Sequence, residues 1–455
     1  MPESALEIAE RVLQAAAGEE AVVVAHVERS GLARFAGAEV HQPTLIDNAV
    51  VELSVVREGR VGVAVGNRLD SDGLAELARR ATEAAASMSP DPELPPPAPP
   101  AEFPEADGFD EETAALTPHE QAELASSAIG AADGFPVYGY FTSGACEQAV
   151  AATTGLRAGQ RFTDATVLVL AAAEGASGYA ERTSWKVTEL DTAATARESV
   201  WIAGRTREAD ELEPETYRAV LEPYAVSELL EYFSWDSFNG LGLLEERSYF
   251  SGRMGQRVFD EKVSIADDAL DPRGLPKAFD FEGVPKRRVP LIENGVARGV
   301  VWDRSTAARA GNGQESTGHA LPASARKWGA LPMSLDMAPG EAESPEALAE
   351  LVGDGIYVTR LHYLGIVEPR EGVITGMTRD GTFRVRDGKL AEPLVNLRFT
   401  VSVPELLSDV LGLTRRRLLV NQSEFYDERY PTAALVPALA TARFTVTGTG
   451  SGPGV

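Results

Sequence analysis

The sequence predicts an α+β protein of two domains. Three features of the 455 residues lead there. Amphipathic helices and strand-like runs come in blocks rather than in strict βα alternation. A proline-rich stretch and an acidic stretch interrupt the chain. After about residue 258 the pattern is almost all strand and turn. The expected division is 1–210, an α+β domain, and 213–455, a β-rich, barrel-like domain. The acidic run Glu208–Glu215 is read as the boundary between them.

The first domain opens with a helix over Glu3–Ala17, whose stripe is Ala5, Ile8, Ala9, Val12 and Ala16. Strands are expected at Ala21–Glu28, Leu32–Phe35 and Glu39–His41, the last two around an Ala36-Gly-Ala38 turn. Ala49, Val51, Leu53 and Val55 alternate, which marks a strand over Asn48–Val56. Arg57-Glu-Gly-Arg60 then turns the chain into Val61–Val65 as a hairpin. Asp70 or Ser71 can cap a helix with the stripe Leu74, Leu77, Ala78, Ala81 and Ala85. Residues 89–104 hold eight prolines, too many for a helix or a central strand, so they form an extended connector.

Pro118 opens a helix to about Ala131, at a position where its missing N–H does no harm. Strands are expected over Val137–Thr142, Glu147–Thr153, Thr166–Ala172 and Ser177–Glu189, and a helix over Thr192–Arg207. In the second domain a strand over Tyr217–Leu221 precedes a short helix with Val226, Leu229, Leu230 and Phe233 at helical spacing. Tyr249–Val258 reads as a Gly-punctuated turn leading into a strand. Asn294-Gly295 and Asp387-Gly388 are hairpin turns. Pro404–Leu411 reads as a helix, Arg443–Thr447 as a last strand and Gly448–Val455 as a frayed end.

Charge and composition exclude several function classes. Forty-two basic against 69 acidic residues give a formal charge of −27. Such a chain does not coat nucleic acid or an anionic membrane. No apolar run approaches the roughly 20 residues that span a bilayer. The amino terminus lacks the basic start of a signal peptide, so a cytoplasmic protein is expected. Cys146 is the single cysteine, which rules out an intrachain disulfide.

The stretch Val226-Ser-Glu-Leu-Leu-Glu-Tyr-Phe233, followed by Tyr249-Phe-Ser-Gly-Arg-Met-Gly-Gln-Arg-Val258, resembles the core signature of the TldD/TldE (PmbA) metalloprotease family. Pieces in family order follow: Asp267-Asp268, Phe281–Pro285, Val289–Gly295, Gly311-Asn-Gly313, Glu315-Ser316 with His319, and Gly355–Leu361. The resemblance covers roughly residues 215–400, with looser agreement before them. It implies that the catalytic subunit carries His-Glu-x-x-x-His on this helix and a cysteine near the carboxyl end. Here the register gives Ser227, Glu228 and Tyr232, and Asn421 and Gln422 stand near the cysteine's place. A catalytic zinc takes about three His, Cys or carboxylate ligands and leaves one position for water. A hydroxyl and a phenol replace imidazole poorly, so no metal ligands and no cofactor are assigned to this chain. Zinc is expected in a catalytic partner.

Each candidate residue has a plainer alternative. Glu228 can hold a substrate amine or be an ion-paired helix carboxylate. Ser227 can line a pocket or sit as a helix-start hydroxyl. Tyr232 joins them as a substrate-binding candidate. Arg253 can grip a carboxylate bidentately or fix its turn. Asn312 can belong to an anion nest or a plain turn. His319 and His362 fall in segments that the resemblance places at the chamber, and either can be a structural hydrogen-bonding group. His26 and His41 are read as ordinary polar packing, facing each other across paired strands. Cys146 is read as a small buried hydrophobe.

The function expected is that of a non-catalytic TldE/PmbA-type subunit. The resemblance implies that it pairs, as a heterodimer with a TldD-type zinc subunit or with itself. The pair encloses a chamber that takes unfolded peptide as an extended strand. The alternative is a stand-alone peptide-binding or scaffold protein. A metal-independent hydrolase using Cys146 or Ser227 is the third reading.

Overall fold

The computed structural model describes residues 3–37, 39–423 and 428–450. The first part runs α1 (Ala5–Ala15), β1 (Glu20–Gly37), β2 (Glu39–Arg57), β3 (Arg60–Gly66), α2 (Ser71–Ser87), α3 (Glu111–Ala115), α4 (Pro118–Ala131), β4 (Val137–Ala152), β5 (Arg157–Ala173), β6 (Ala176–Ser184) and α5 (Thr192–Ala203). The second part runs β7 (Thr216–Leu221), α6 (Pro223–Ser237), α7 (Gly240–Leu244), β8 (Ile265–Asp267), β9 (Val289–Glu293), β10 (Val296–Ala297), α8 (Arg304–Ala310), β11 (Leu335–Met337), α9 (Pro345–Val352), β12 (Gly355–Glu368), β13 (Val373–Arg386), β14 (Lys389–Pro393), β15 (Leu397–Ser402), α10 (Val403–Ser408), β16 (Val410–Asn421) and β17 (Ala433–Thr449).

The first six strands form one antiparallel sheet in the order β3-β2-β1-β4-β5-β6. Alternation sorts its side chains. Ala21, Val23, Ala25, Val51, Leu53 and Val55 face α1 and α2. Val22 and Val24 face the opposite side, where Ala98 of the connector and Ala278 and Phe279 of the second part cover them. The helix starts follow their caps. Ser4 and Glu7 form a capping box on α1, and Thr117 and Glu120 form another on α4.

The second sheet has 11 strands. Five of them close on themselves: β17 pairs with β15 and β7, and β13 and β12 complete the ring. On β7, Ala219 and Leu221 join the core that holds α6, while Val220 joins the core that holds α9. The fold is therefore mixed α+β with a ring-like sheet in its second part, as the sequence predicts.

Several boundaries differ from expectation, mostly because glycines read as breaks lie inside strands. Leu32–Phe35 is the far end of an 18-residue β1, and Glu39–His41 is the start of a 19-residue β2. The two segments expected over Val137–Thr153 are one strand, β4. A Cβ on Gly31 would lie 1.9 Å from Gln121 Oε1, and one on Gly144 would lie 2.5 Å from Arg429 Nε. These glycines let other chain segments approach closely. β6 ends at Ser184 and α5 at Ala203, earlier than read. Tyr249–Val258 stays a run of turns and starts no strand. The helix read over Pro404–Leu411 is Val403–Ser408. Gly448 and Thr449 pair with Arg398 and Leu397 and are not frayed, while 451–455 lie outside the described residues. His26 pairs with Val50 and His41 with Arg34, so the two histidines do not face each other.

Arg429, 3% exposed, ties the two sheets together. Its guanidinium donates to Asp164 Oδ1 at 2.7 Å, Asp164 Oδ2 at 2.6 Å and Thr142 Oγ1 at 3.0 Å. Its backbone N–H donates to Glu28 Oε2 at 3.0 Å, and the Cys146 thiol donates to its carbonyl at 3.4 Å. Burial pushes the Cys146 thiol well up from its usual range, which leaves little thiolate for nucleophilic chemistry.

Removing one partner of a buried ion pair strands the other charge. Asp164→Ala is therefore expected to lower the unfolding free energy by about 3–5 kcal/mol. Urea denaturation followed by fluorescence measures it; a loss below about 1 kcal/mol would contradict the assigned bridge.

Candidate functional site

The site is built on α6. Pro223 stands in its first turn, and Tyr224, Ala225, Val226, Leu229, Leu230 and Phe233 are buried. Phe233 packs with Phe238, Tyr249, Phe250 and Phe259, at ring centroid distances of 5.5–6.2 Å. This aromatic cluster fixes the rotation of the helix and turns Ser227 and Glu228 toward β12 and the end of β16.

Glu228 Oε2 accepts the backbone N–H of Leu361 at 2.6 Å. Ser227 Oγ accepts from Gln422 Nε2 at 3.1 Å. Asn421, next to Gln422, donates its N–H to Glu181 Oε1 at 2.8 Å, and the Tyr179 hydroxyl donates to Glu181 Oε2 at 2.8 Å. The Arg360 guanidinium stacks over the Tyr179 ring at 4.1 Å and lies 3.5 Å from Asp380 Oδ2. Arg379 approaches the same oxygen at 3.8 Å. Three carboxylates and two arginines thus meet where β6 of the first sheet touches the second.

Burial pushes the Glu228 carboxyl up to about 8, against the pull of Arg360 and the Leu361 N–H and with Glu231 and Glu181 adding to the rise. Burial also raises the Glu181 carboxyl, opposed by its hydrogen bonds from Tyr179 and Asn421. Asp380 is raised by burial against the two arginines, and its φ of 54° is a left-handed conformation rare outside glycine. Non-glycine strain of this kind gathers at working sites.

The other sequence candidates do not converge. Tyr232 packs on Trp235, with ring centroids 4.4 Å apart. Arg253 donates to the Tyr249 carbonyl at 2.6 Å and pairs with Glu371 at 3.4 Å. Asn312 is exposed in the tight turn 311–313. His319 is buried, with Nε2 2.8 Å from Asp267 Oδ1 and Nδ1 2.9 Å from the Thr317 carbonyl. Burial, Arg379 and Arg360 lower His362 to about 4, and its ring lies 4.1 Å from that of Tyr363. It is thus a neutral imidazole beside the Arg360–Asp380 pair.

Tyr179, Glu181 and Asp380 are not among the residues that the sequence singles out. Only a charged residue on a strand otherwise facing a core could have flagged Glu181. The donors on α6 do not fit zinc. Ser227 Oγ accepts from the Gln422 amide, and Glu228 Oε2 accepts a backbone N–H. Zinc asks for about three basic or anionic ligands. Among the described residues, one group of three acidic side chains lies close enough to share an ion: Asp268, Asp271 and Asp336. Each of them is held by an arginine, Arg288, Arg273 and Arg417 respectively.

A carboxyl raised from its ordinary value of 4.5 to about 8 in the folded state keeps its proton there while the unfolded chain has lost it. Stability therefore falls as pH rises from about 4.5 to about 8. Glu228→Gln keeps an acceptor for Leu361 and removes this titration. Urea midpoints at pH 5, 6, 7 and 8 are expected to decline less steeply in the variant. Parallel profiles would show that Glu228 is already ionised in the folded protein.

No helix among the described residues is long and apolar enough to cross a membrane. A zinc metalloprotease TldD homolog of Saccharolobus solfataricus is 30% identical over 168 residues, 35% of this chain and 37% of that protein. A metalloprotease of Methanothermobacter thermautotrophicus is 30% identical over 171 residues, 38% of this chain and 37% of its own length. The chain thus matches little more than a third of these relatives' length. TldE from Thermococcus kodakarensis shares the fold, with a TM-score of 0.84 at 20% identity over 97% of this chain and 99% of that one. The family model of the PmbA/TldA metallopeptidase C-terminal domain matches residues 214–448, more than half of the sequence. The chain belongs to the PmbA/TldA metallopeptidase family.

Proposed function

We propose that this chain is the non-catalytic, TldE-type subunit of a cytoplasmic peptidase, divided near residues 210–213, that shapes a chamber and holds extended peptide for a zinc-bearing partner. One observation carries the reading. Ser227, in the place where the family resemblance implies a histidine, accepts a hydrogen bond from Gln422, which stands near where it implies a cysteine. Glu228, the general base of the catalytic type, accepts the Leu361 backbone N–H at Oε2. A hydroxyl and an amide in mutual contact have neither the basicity of imidazole nor the charge of a thiolate.

Peptide holding rests on β12. β7 covers one of its edges only at Ile356–Val358. Among the described residues no strand continues along that edge to Glu368, and the first N–H beyond it, at Leu361, is the one Glu228 takes. Register breaks at 358–360 and 362–365 and the exposed Tyr363, φ 51°, roughen the same stretch. A partly open strand edge suits sequence-tolerant binding, because main-chain hydrogen bonds supply the affinity. The half-buried, neutral His362 and the Arg360–Asp380 pair flank that edge.

The test is reconstitution. The chain is mixed with a family member that carries His-Glu-x-x-x-His, and unfolded-peptide hydrolysis is followed with and without chelator. Hydrolysis is expected only in the mixture, and chelator is expected to abolish it. Full-rate cleavage by the isolated chain in chelator would overturn the reading. Recovery of the chain as a homo-oligomer that binds peptide but does not activate the partner would favour the stand-alone binder.

A further inference from the structure

One side chain on β12 is held at a cost that the fold does not recover. Tyr363 is 77% exposed and has φ 51°. Positive φ is uncommon outside glycine and an outlier for a bulky residue. The pairing of β12 with β13 shows where it comes from. The register runs from His362–Met377 to Gly365–Thr375, so Tyr363 and Leu364 stand opposite Gly376 alone. Two residues against one make a bulge, and a bulge whose first residue is left-handed normally has glycine there. Here the glycine is on the other strand. A Cβ on Gly376 would lie 2.8 Å from the Phe399 ring and 3.2 Å from the His362 carbonyl, so β13 has no space for a side chain at that point. Leu364 packs against the core that holds α6. The Tyr363 ring meets the His362 ring, with centroids 4.1 Å apart, and otherwise faces solvent.

The bulge lies on the stretch of β12 that β7 leaves uncovered. β7 pairs as far as Val358, Glu228 takes the Leu361 N–H, and Tyr363 follows two residues later. Bulges are common beside working sites, where they re-aim a side chain. Val367, four residues further along, is 57% exposed and extends the apolar surface.

An exposed tyrosine face can receive another aromatic ring or a cation. The surroundings disfavour the cation. The charges that act on His362 are those of Arg379 and Arg360, and with burial they bring its imidazole down to about 4. Both arginines lie against Asp380, and burial raises the carboxyls of Glu228 and Glu181, the other acids acting on Arg360. A field that keeps a proton off His362 also repels an ammonium or a guanidinium from the adjoining ring. The imidazole stays neutral and backs Tyr363 as a second flat surface.

On the peptide-holding reading of β12, we propose that Tyr363, backed by His362, is a specificity residue that stacks on an aromatic side chain of the bound peptide. Main-chain pairing supplies the sequence-tolerant part of the affinity, and this ring adds a preference at one position. The cost of the left-handed tyrosine is then recovered on binding.

The test uses the full chain and three dye-labelled decapeptides of serine, threonine and glycine that differ at one central position, Phe, Ala or Lys. Fluorescence anisotropy is expected to show the Phe peptide binding at least fivefold tighter than the other two. Tyr363→Phe is expected to keep that preference. Tyr363→Ala is expected to abolish it and to leave the affinity for the Ala peptide within twofold. Tyr363→Gly is expected to abolish it and to raise the thermal unfolding midpoint, because glycine is at home in this conformation. No binding of any of the three peptides would remove the peptide-holding reading and the proposal with it. Equal binding of the Phe and Ala peptides, a preference for Lys, or an unchanged Phe preference in Tyr363→Ala would overturn the proposal alone. So would a midpoint lowered by Tyr363→Gly, which would show that the ring serves the fold. Loss of association with the His-Glu-x-x-x-His partner in Tyr363→Ala, with the Phe preference intact, would assign the ring to subunit docking instead.

Discussion

A buried polar group must find a partner inside the protein, and at α6 that constraint orders the surroundings. The helix is held by an aromatic and aliphatic core, yet it carries Ser227 into the same interior and the half-buried Glu228 to its margin. Glu228 takes the Leu361 N–H, and Ser227 takes the Gln422 amide. Asn421 beside it reaches Glu181, which belongs to the other sheet. One chain of hydrogen bonds therefore passes from the first sheet, through the end of β16, to the helix and β12. Low local polarity makes each of these bonds matter, because an unmade one costs about 1–3 kcal/mol.

The same logic explains how the two sheets are joined. Arg429 follows the segment after β16 and enters the first sheet, where Asp164 and Thr142 receive it. Gly144 leaves it room. At the other end of the first sheet, the proline-rich connector and the loops around α8 cover a face that α1 and α2 leave open. The first case is polar and tight, and the second is apolar and leaves a cavity.

Much of the fold was legible in the sequence. The stripe Ala5-Ile8-Val12 and the alternation Val51-Leu53-Val55 gave α1 and β2, because helix and strand periods differ plainly there. Thr117-Pro118 and Asn294-Gly295 gave a helix start and a hairpin, because capping and turn chemistry is local. Gly31 and Gly144 misled, since close approach by Gln121 and Arg429 cannot be seen from neighbours in sequence. The family was legible from the signature helix, and its altered positions from one register. Glu181, Tyr179 and Asp380 were not, because their meaning depends on two sheets meeting. Nor was the isolation of Arg253 and Asn312, which share segments with the site but not its space.

The point that carries the most weight is the proposal that Ser227, Glu228 and Gln422 hold no zinc. The most direct measurement is anomalous X-ray scattering at the zinc edge from crystals of the chain alone, grown after dialysis against zinc. The account predicts no peak between Ser227, Glu228 and Gln422, with the Ser227–Gln422 hydrogen bond intact. A full-occupancy peak there, with Glu228 turned from Leu361 to ligate it, would contradict the account.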